Sequence, residues 1–245
     1  MLSLPNEITV IIAYFLEPNQ RVKLREVCVV WGKLLSDHQS WRDVKIEIIR
    51  KNFQRACEHG NLESSKWLAR IFEMTQKDIR SNYDDAFHWS CIKGHLEVTQ
   101  WLVDTFDLNQ GVDKIHGDLA IRYSCIYGHL ETAQWIDIKF GITQENIRLY
   151  NNFILRWSCK RGNLKIVKWL VNRFDLNKED IGAEDYDALK WAIMNNHHDI
   201  ARWLINKFNL TQEDFSVWIE HILKAAQSLN RDNTIQFLKN TFDIH

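Results

Sequence analysis

The sequence has no excess of positive charge and no long apolar run. Its 245 residues include 31 lysines and arginines against 32 aspartates and glutamates, a formal net charge of −1. A nucleic-acid-binding protein usually carries a basic patch, and nothing in this balance indicates one. The longest apolar stretch, from Ile8 to Leu16, is shorter than the roughly 18 residues that a membrane-spanning helix requires. We therefore expect neither a nucleic acid nor a membrane as a partner.

The residue patterns that accompany catalysis are also missing. The chain has neither a glycine-rich phosphate loop nor a nucleophile elbow. His95 and His129 each follow a glycine at the same repeat spacing, where stabilisation of a turn is the simpler interpretation. No cysteine or carboxylate stands at a zinc-ligand spacing beside the pair at residues 197–198. We expect no enzymatic activity, no cofactor and no metal site.

The cysteines are too regularly placed to be disulfide partners. Four of the five recur every 34 residues, at Cys57, Cys91, Cys125 and Cys159. Packed elements lie roughly 10 Å apart, whereas the Cα atoms of a disulfide must approach within about 7 Å. Free thiols in small core sites, and a reducing compartment, follow from this spacing. The cytoplasm is the expected location, with the nucleus as an alternative.

What the sequence does have is a repeat of 34 residues. An aromatic column marks it, at Trp67, Trp101, Trp135, Trp169, Trp203 and Phe237. The flanking segments also repeat, and they read EHGNLESSKWL, IKGHLEVTQWL, IYGHLETAQWI, KRGNLKIVKWL and MNNHHDIARWL. Fixed self-similarity of this length indicates a solenoid, whose function is binding rather than chemistry. We expect the tryptophans to form the internal spine of the solenoid.

Each repeat unit reads as two helices. Apolar and small residues at positions seven and four before the glycine give a short first helix with one narrow packing face, and the glycine ends it. A second helix follows, with a broad apolar face. Five full units begin at Phe53, Phe87, Ile121, Leu155 and Leu189, and a partial sixth begins at Leu223. In the sixth, Gln227, Asn230 and Asp232 replace core residues, as expected of a cap.

The period alone does not identify the family, because tetratricopeptide units are also 34 residues long. Their closing proline is absent, since the only prolines are Pro5 and Pro18. The string G-H-L-E-V-x-x-W-L after a small-residue helix instead resembles the ankyrin repeat, over residues 53–245. The T-P-L-H opening and the finger segment of ankyrins are missing. Capping-box spacing at Thr75 and Asp78, and at Thr211 and Asp214, predicts a short helical turn there.

Positions that vary between units are free to contact a target. The variable pairs lie just before each glycine, at Glu58-His59, Ile92-Lys93, Ile126-Tyr127, Lys160-Arg161 and Met194-Asn195. A second candidate is the aromatic ladder Trp89, Tyr123, Trp157 and Trp191, which serves either binding or packing between units. A basic row at Arg122, Arg156 and Lys190 either meets an acidic partner or is a solvated helix face. If the units stack as ankyrins do, the pairs line the concave side.

The first 45 residues do not share the period. Their amphipathic segments predict three short helices, which could simply cap the solenoid. The ordered set Leu-Pro-x-Glu-Ile, Phe-Leu, Pro, Leu-Arg, Val-Cys, Trp and Trp-Arg, however, resembles an F-box over residues 2–45; residues 46–52 form a junction. The resemblance implies contacts with a Skp-type adaptor from Leu4, Pro5, Ile8, Ile12, Leu16, Leu24, Val27 and Cys28. Trp31 either joins them or holds the helices together.

The two resemblances together imply a substrate receptor of a Skp-cullin-F-box ubiquitin ligase, connected through the adaptor to a cullin and a RING subunit. The alternative is a non-catalytic interaction module or decoy that binds proteins without promoting ubiquitination. On its own the chain is expected to be a monomer. A tryptophan-rich, finger-poor repeat behind an N-terminal F-box also resembles proteins of large DNA viruses that infect amoebae, which implies a target in the host cell.

Overall fold

The computed structural model describes residues 50–80, 85–108 and 114–242. Within these ranges the chain is helical and has no strand, so the predicted all-α fold is confirmed there. The predicted F-box, residues 1–45, lies outside the described residues together with its nine adaptor-binding candidates. Residues 53–245 form a compact unit of their own.

Each repeat unit contributes a first helix and a second helix, and within the described residues four of the connecting segments are themselves helical. The helices are α1, described over 50–58, α2 Leu62–Ile71, α3 Gln76–Arg80, α4 Asp85–Lys93, α5 Leu96–Phe106, α6 Lys114–Tyr127, α7 Leu130–Phe140, α8 Gln144–Arg161, α9 Leu164–Arg173, α10 Lys178–Met194, α11 His198–Phe208, a 3₁₀ helix Gln212–Phe215, α12 Ser216–Ser228 and α13 Asp232–Phe242. The connecting segments are α3, the first parts of α8 and α10, and the 3₁₀ helix. A helix thus stands where ankyrin units usually carry a finger.

In the first four units the glycine ends the first helix as predicted. In α4 the N–H of His95 donates to the carbonyl of Ser90 at 2.9 Å, and the N–H of Gly94 donates to that of Cys91 at 3.3 Å. This pairing is a Schellman motif, which requires a left-handed residue at the glycine. Gly94 has φ +73°. In the last two units Asn196 and Asn230, at φ 63° and 52°, take the same place.

The core runs along two columns that are almost sealed from solvent. One, in the first helices, is Phe53, Phe87, Ile121, Leu155 and Leu189; the other, in the second helices, is Leu68, Leu102, Ile136, Leu170, Leu204 and Leu238. The second column stands one residue after the tryptophans. The tryptophans themselves are only half-buried, and among the six aromatics of their column only Phe237 is buried. The prediction that they form the internal spine is therefore wrong. The predicted cap residues of the sixth unit, Gln227, Asn230 and Asp232, are exposed.

Second helices pack on the first helix of the preceding unit. The ring centroid of Phe53 on α1 lies 6.2 Å from that of Trp101 and 6.4 Å from that of Phe106, both on α5. Phe87 on α4 repeats the contact with Phe140 on α7, at 6.0 Å. The tryptophan column therefore borders the seam between neighbouring units, where part of each indole remains accessible.

The connecting segments begin with the predicted capping boxes. The backbone N–H of Thr75 donates to Oδ2 of Asp78 at 2.9 Å, and that of Thr211 donates to Oδ2 of Asp214 at 2.8 Å. The equivalent helix starts at Thr143 and Asn177 have both halves of the box. These reciprocal bonds satisfy backbone donors that a helix start otherwise leaves unpaired, and they explain why four short connecting segments can be helical.

Left-handed turns join two connecting segments to the next first helix. Tyr150, Asn151 and Asn152 within α8 have φ between 54° and 57°, and residues 184–186 within α10 repeat the conformation at φ 53° to 63°. Three consecutive left-handed residues without a glycine cost roughly 1–2 kcal/mol each. These turns were not predicted from the sequence. Asn151-Asn152 was the available signal, since asparagine enters this region more readily than most residues.

Four buried cysteines make a thiol titration informative. Burial raises the pKa of Cys57 and of Cys91 to about 12, and it raises the pKa of Cys125 and Cys159 further. The reactive species is the thiolate, so none of the four should react quickly with a disulfide reagent near neutral pH. We expect at most one fast thiol in the native protein and all five cysteines in denaturant. Rapid reaction of two or more native thiols would contradict the packing.

Candidate interaction surface

A side chain from each unit holds the last turn of the preceding first helix. Nε2 of His95 donates to the carbonyl of Glu58 at 2.9 Å, and Nε2 of His129 donates to that of Ile92 at 2.7 Å. A carbonyl can only accept, so Nε2 carries the proton in both rings. The same place is taken by Asn163, His197 and Arg231, which donate to the carbonyls of Ile126, Lys160 and Met194. The predicted turn histidines therefore also join neighbouring units.

These bonds fix the backbone of the variable pairs. Their carbonyl acceptors belong to the first member of each pair, so each pair is held from the following unit. The second members are the more accessible: His59, Lys93, Tyr127 and Arg161 are exposed, and Asn195 is half-buried. The first members Glu58, Ile92, Lys160 and Met194 are half-buried. Ile126 is the exception, since its side chain is only 7% exposed and belongs to the core.

The structure brings the variable pairs and the aromatic ladder together. Nζ of Lys160 lies 4.4 Å from the ring centroid of Trp157 and 4.0 Å from that of Trp191. The guanidinium of Arg161 lies 5.2 Å from the ring of Tyr127. All three are cation–π contacts, and together they connect the third, fourth and fifth units. We call Tyr127, Trp157, Lys160, Arg161 and Trp191 the aromatic–basic surface.

The other two ladder residues, Trp89 and Tyr123, are not part of this surface. Lys93 is 5.6 Å from the ring of Trp89, and it is also 3.7 Å from the carboxylate of Glu58. Tyr123 is half-buried, with its ring 5.8 Å from that of His88. The charge at Lys93 is therefore partly neutralised within the chain. Within the described ranges, by contrast, neither Lys160 nor Arg161 has a carboxylate at ion-pair distance.

The predicted basic row faces the left-handed turns. Arg156 donates to the carbonyls of Asn151 and Tyr150, at 2.9 and 3.1 Å, and to Asp187 at 3.0 Å. Arg122 lies 5.1 Å from the Tyr150 ring. Lys190 in the same way bonds Asp185, at 3.0 Å, in the second turn. Arg156 and Lys190 thus satisfy turn carbonyls and local carboxylates, so they are not simply a solvated helix face, while the role of the row in binding an acidic partner stays a prediction. These contacts offset part of the cost of the turns.

Two carboxylates connect successive connecting segments. Asp180 accepts two bonds from Arg148, both at 2.8 Å. Burial opposes the charge on Asp180, but the bonds from Arg148 and from the Asn177 backbone prevail and hold the pKa of this carboxyl below its usual value. The ammonium of Lys178, the Thr211 backbone N–H and the Tyr186 hydroxyl lower the pKa of Asp214 to about 2.

These pKa values predict a loss of stability in acid. A carboxyl whose pKa falls on folding stabilises the fold above its unfolded value of about 3.9 and loses that contribution as the pH drops through the folded value. We expect the urea midpoint of the array to fall between about pH 4 and about pH 2. Asp214→Asn should reduce this dependence because the charge is gone at every pH. An unchanged pH profile in that variant would contradict the assignment.

The described residues offer little for chemistry. In the ranges 50–80, 85–108 and 114–242, no group of three or more histidine, cysteine, aspartate or glutamate side chains is arranged to hold a metal ion. Over the same ranges, no helix combines the length and apolar character needed to cross a membrane.

Paired helices stacked at a fixed period, with side chains that bond the preceding unit, define a helical repeat protein of the solenoid class. The family model for ankyrin repeats matches residues 53–146, 137–214 and 155–245, and the chain belongs to the ankyrin-repeat family. The model described as F-box-like matches residues 1–47. The comparison with curated proteins gave no significant match. The chain therefore combines an F-box-like segment with an ankyrin array, which is consistent with a substrate receptor or a protein-interaction module.

Proposed function

We propose that the protein is the substrate-receptor subunit of a Skp-cullin-F-box ubiquitin ligase. The observation that carries the proposal is the F-box-like match over residues 1–47, directly before the ankyrin array. The F-box would bind a Skp-type adaptor, and the array would hold the target protein. A receptor of this kind works by proximity, because it places the target near catalytic groups that other subunits supply. The chain itself would not be an enzyme, and it would work in the cytoplasm or the nucleus.

The array supports the second half of the proposal. Its backbone is held from unit to unit by side chain to carbonyl bonds, such as that of His129 to Ile92 at 2.7 Å. The side chains that this scaffold presents differ between units, with Lys93, Tyr127 and Arg161 exposed at equivalent places. A rigid scaffold with variable side chains suits selective recognition, because little conformational entropy is lost on binding.

Adaptor binding can be tested with a matched pair of variants. The full chain would be co-expressed with a Skp-type adaptor and purified by a tag on the chain. Leu4→Ser with Pro5→Ser should abolish co-purification, since both residues are in the predicted contact set. Ile138→Ser with Leu229→Ser is the control, because these apolar side chains of the array are 81% and 57% exposed. Absence of the adaptor from the unmodified complex, or its loss only in the control, would overturn the proposal.

The interaction-module alternative makes a different prediction for the target. Partners would be identified by mass spectrometry after purification of the full chain and of a chain lacking residues 1–45. A partner retained by both belongs to the array, and its half-life can then be compared in cells that express either form. A receptor shortens the half-life only when residues 1–45 are present. A decoy leaves the half-life unchanged.

A further inference from the structure

The aromatic–basic surface carries cations that the fold leaves without carboxylate partners. Lys160 is half-buried, with its ammonium between the rings of Trp157 and Trp191 at 4.4 and 4.0 Å. Arg161 is exposed beside the ring of Tyr127. The indole rings restrict Lys160, so a carboxylate that binds there pays little side-chain entropy to order it.

Three other first-helix cations, by contrast, have carboxylate partners within the chain. Lys93 lies 3.7 Å from Glu58, Arg156 lies 3.0 Å from Asp187, and Lys190 lies 3.0 Å from Asp185. Lys160 and Arg161, which have no carboxylate partner among the described residues, are consecutive residues at the end of α8, and the aromatic rings around them come from three different units. A positive patch thus stands on a protein whose net charge is −1. Charge complementarity favours a negatively charged occupant.

The aromatic rings distinguish between two kinds of acidic occupant. Single-stranded nucleic acids bind by stacking bases on accessible aromatic faces. Here the faces of Trp157 and Trp191 are both approached by the ammonium of Lys160, so a base could stack there only after displacing that cation. Carboxylates need no such displacement, because they bind the cations directly. Trp191 and Tyr127, 38% and 44% exposed, leave apolar area beside the charges.

We propose that the aromatic–basic surface binds a short acidic segment of a protein, with two carboxylates on Lys160 and Arg161 and an apolar side chain against Trp191 or Tyr127. The occupant is an extended or helical peptide segment rich in aspartate and glutamate, within the target. The proposal rests on the proposed function only in that the array, and not the F-box, holds the target.

Selection from a display library tests the proposal without an adaptor. The purified full chain would be immobilised and challenged with random peptides of about 12 residues, a length that spans about three units in extended form. The enriched peptides should contain more aspartate and glutamate than the input library, interspersed with aromatic or aliphatic residues. The most enriched peptide, labelled with a fluorophore, then serves as the probe for affinity. No enrichment, or enrichment without an acidic excess, would overturn the proposal.

Charge reversal locates the site. Lys160→Glu with Arg161→Glu should lower the affinity for the probe by about tenfold or more, since two ion pairs are replaced by repulsion. Lys165→Glu with Lys168→Glu makes the same change in net charge on α9 of the same unit and should lower the affinity far less. Higher salt should weaken binding to the unmodified chain. Equal losses in the two variants would overturn the proposal, as would preferential binding of a single-stranded oligonucleotide that competes with the probe. Adaptor co-purification is a separate measurement, so either proposal can fail alone.

Discussion

Replacing Arg173 with alanine is expected to lower the free energy of unfolding by about 3 kcal/mol. The reason is the carboxylate of Asp137, whose residue is only 3% exposed. Arg173 donates to its two oxygens at 2.7 and 3.2 Å from the next unit. Removing the guanidinium leaves a buried negative charge without its partner, a change that costs far more than the ion pair itself contributes. Equilibrium urea unfolding of the full chain, followed by tryptophan fluorescence, measures the loss.

Lys139→Ala is the matched control for Arg173→Ala. Lys139 occupies the same place one unit earlier, and its ammonium lies 2.7 Å from Asp104. The Asp104 side chain is 62% exposed, however, so water replaces the lost partner. The control should lose less than about 1 kcal/mol. Similar losses in the two variants would show that burial of Asp137 does not determine the cost.

A second-site change should relieve the effect. The column of Asp137 contains Val103 and Val171 in the neighbouring units, both buried. Asp137→Val therefore places an apolar residue where the fold already accepts one. In this single variant Arg173 loses its partner but can be hydrated, because its side chain is 50% exposed. We expect the double variant to be more stable than Arg173→Ala alone, with a coupling energy of about 2 kcal/mol. Additive losses would contradict this account.

Features that depend on neighbours in sequence were predictable. The helix end at Gly94 follows from a glycine after a short amphipathic segment, and the start at Thr75 follows from an aspartate three residues later. The buried cysteine column follows from the 34-residue period, since equivalent positions in stacked units share one environment. In each case a residue type and a short spacing determine a local geometry, so no knowledge of the neighbouring unit is needed.

The position of the tryptophans shows where the period stops being informative. A period identifies equivalent residues, but it does not say which of two adjacent apolar columns faces inwards. Consecutive helical residues point about 100° apart, so when Leu102 enters the core its neighbour Trp101 must turn to the seam. The large apolar area of tryptophan suggested that its column faces the core. Tryptophan is rarely buried completely, however, and here the smaller leucine and isoleucine column takes that place.

The residues of the candidate surface were predicted in two separate sets, the variable pairs and the aromatic ladder. The contacts between the two sets were not predicted. The pair Lys160-Arg161 and the ladder residue Trp191 were both identified by their repeat spacing. Their contact depends on the distance between units, and sequence spacing does not contain that distance. The pairing of Asp137 with Arg173 escaped prediction for the same reason. Both contacts depend on side chains that meet across a unit boundary.

Gly94→Ala is expected to lower the free energy of unfolding by about 3 kcal/mol, from two separate costs. The left-handed backbone, at φ +73°, disfavours any side chain. A Cβ atom would also lie 2.7 Å from Cε1 of His129, so the ring must move. Movement of the ring breaks its 2.7 Å bond to the carbonyl of Ile92 and leaves a partly buried acceptor unpaired. Denaturant unfolding measures the total cost.

Gly141→Ala separates the two costs. Gly141 has a similar φ of +62°, but a Cβ atom there would meet nothing within 4 Å. The Gly141→Ala variant should therefore lose only the free energy that backbone strain costs, about 1 kcal/mol. The chain makes a related substitution itself: Asn196 stands in the glycine column at φ 63°, and there the following ring is replaced by Arg231. Adding His129→Ala to Gly94→Ala should accordingly cost less than the sum of the single changes, because the alanine then has no ring to displace. Equal losses for the two glycine variants would mean that close approach of the histidine does not determine the need for glycine.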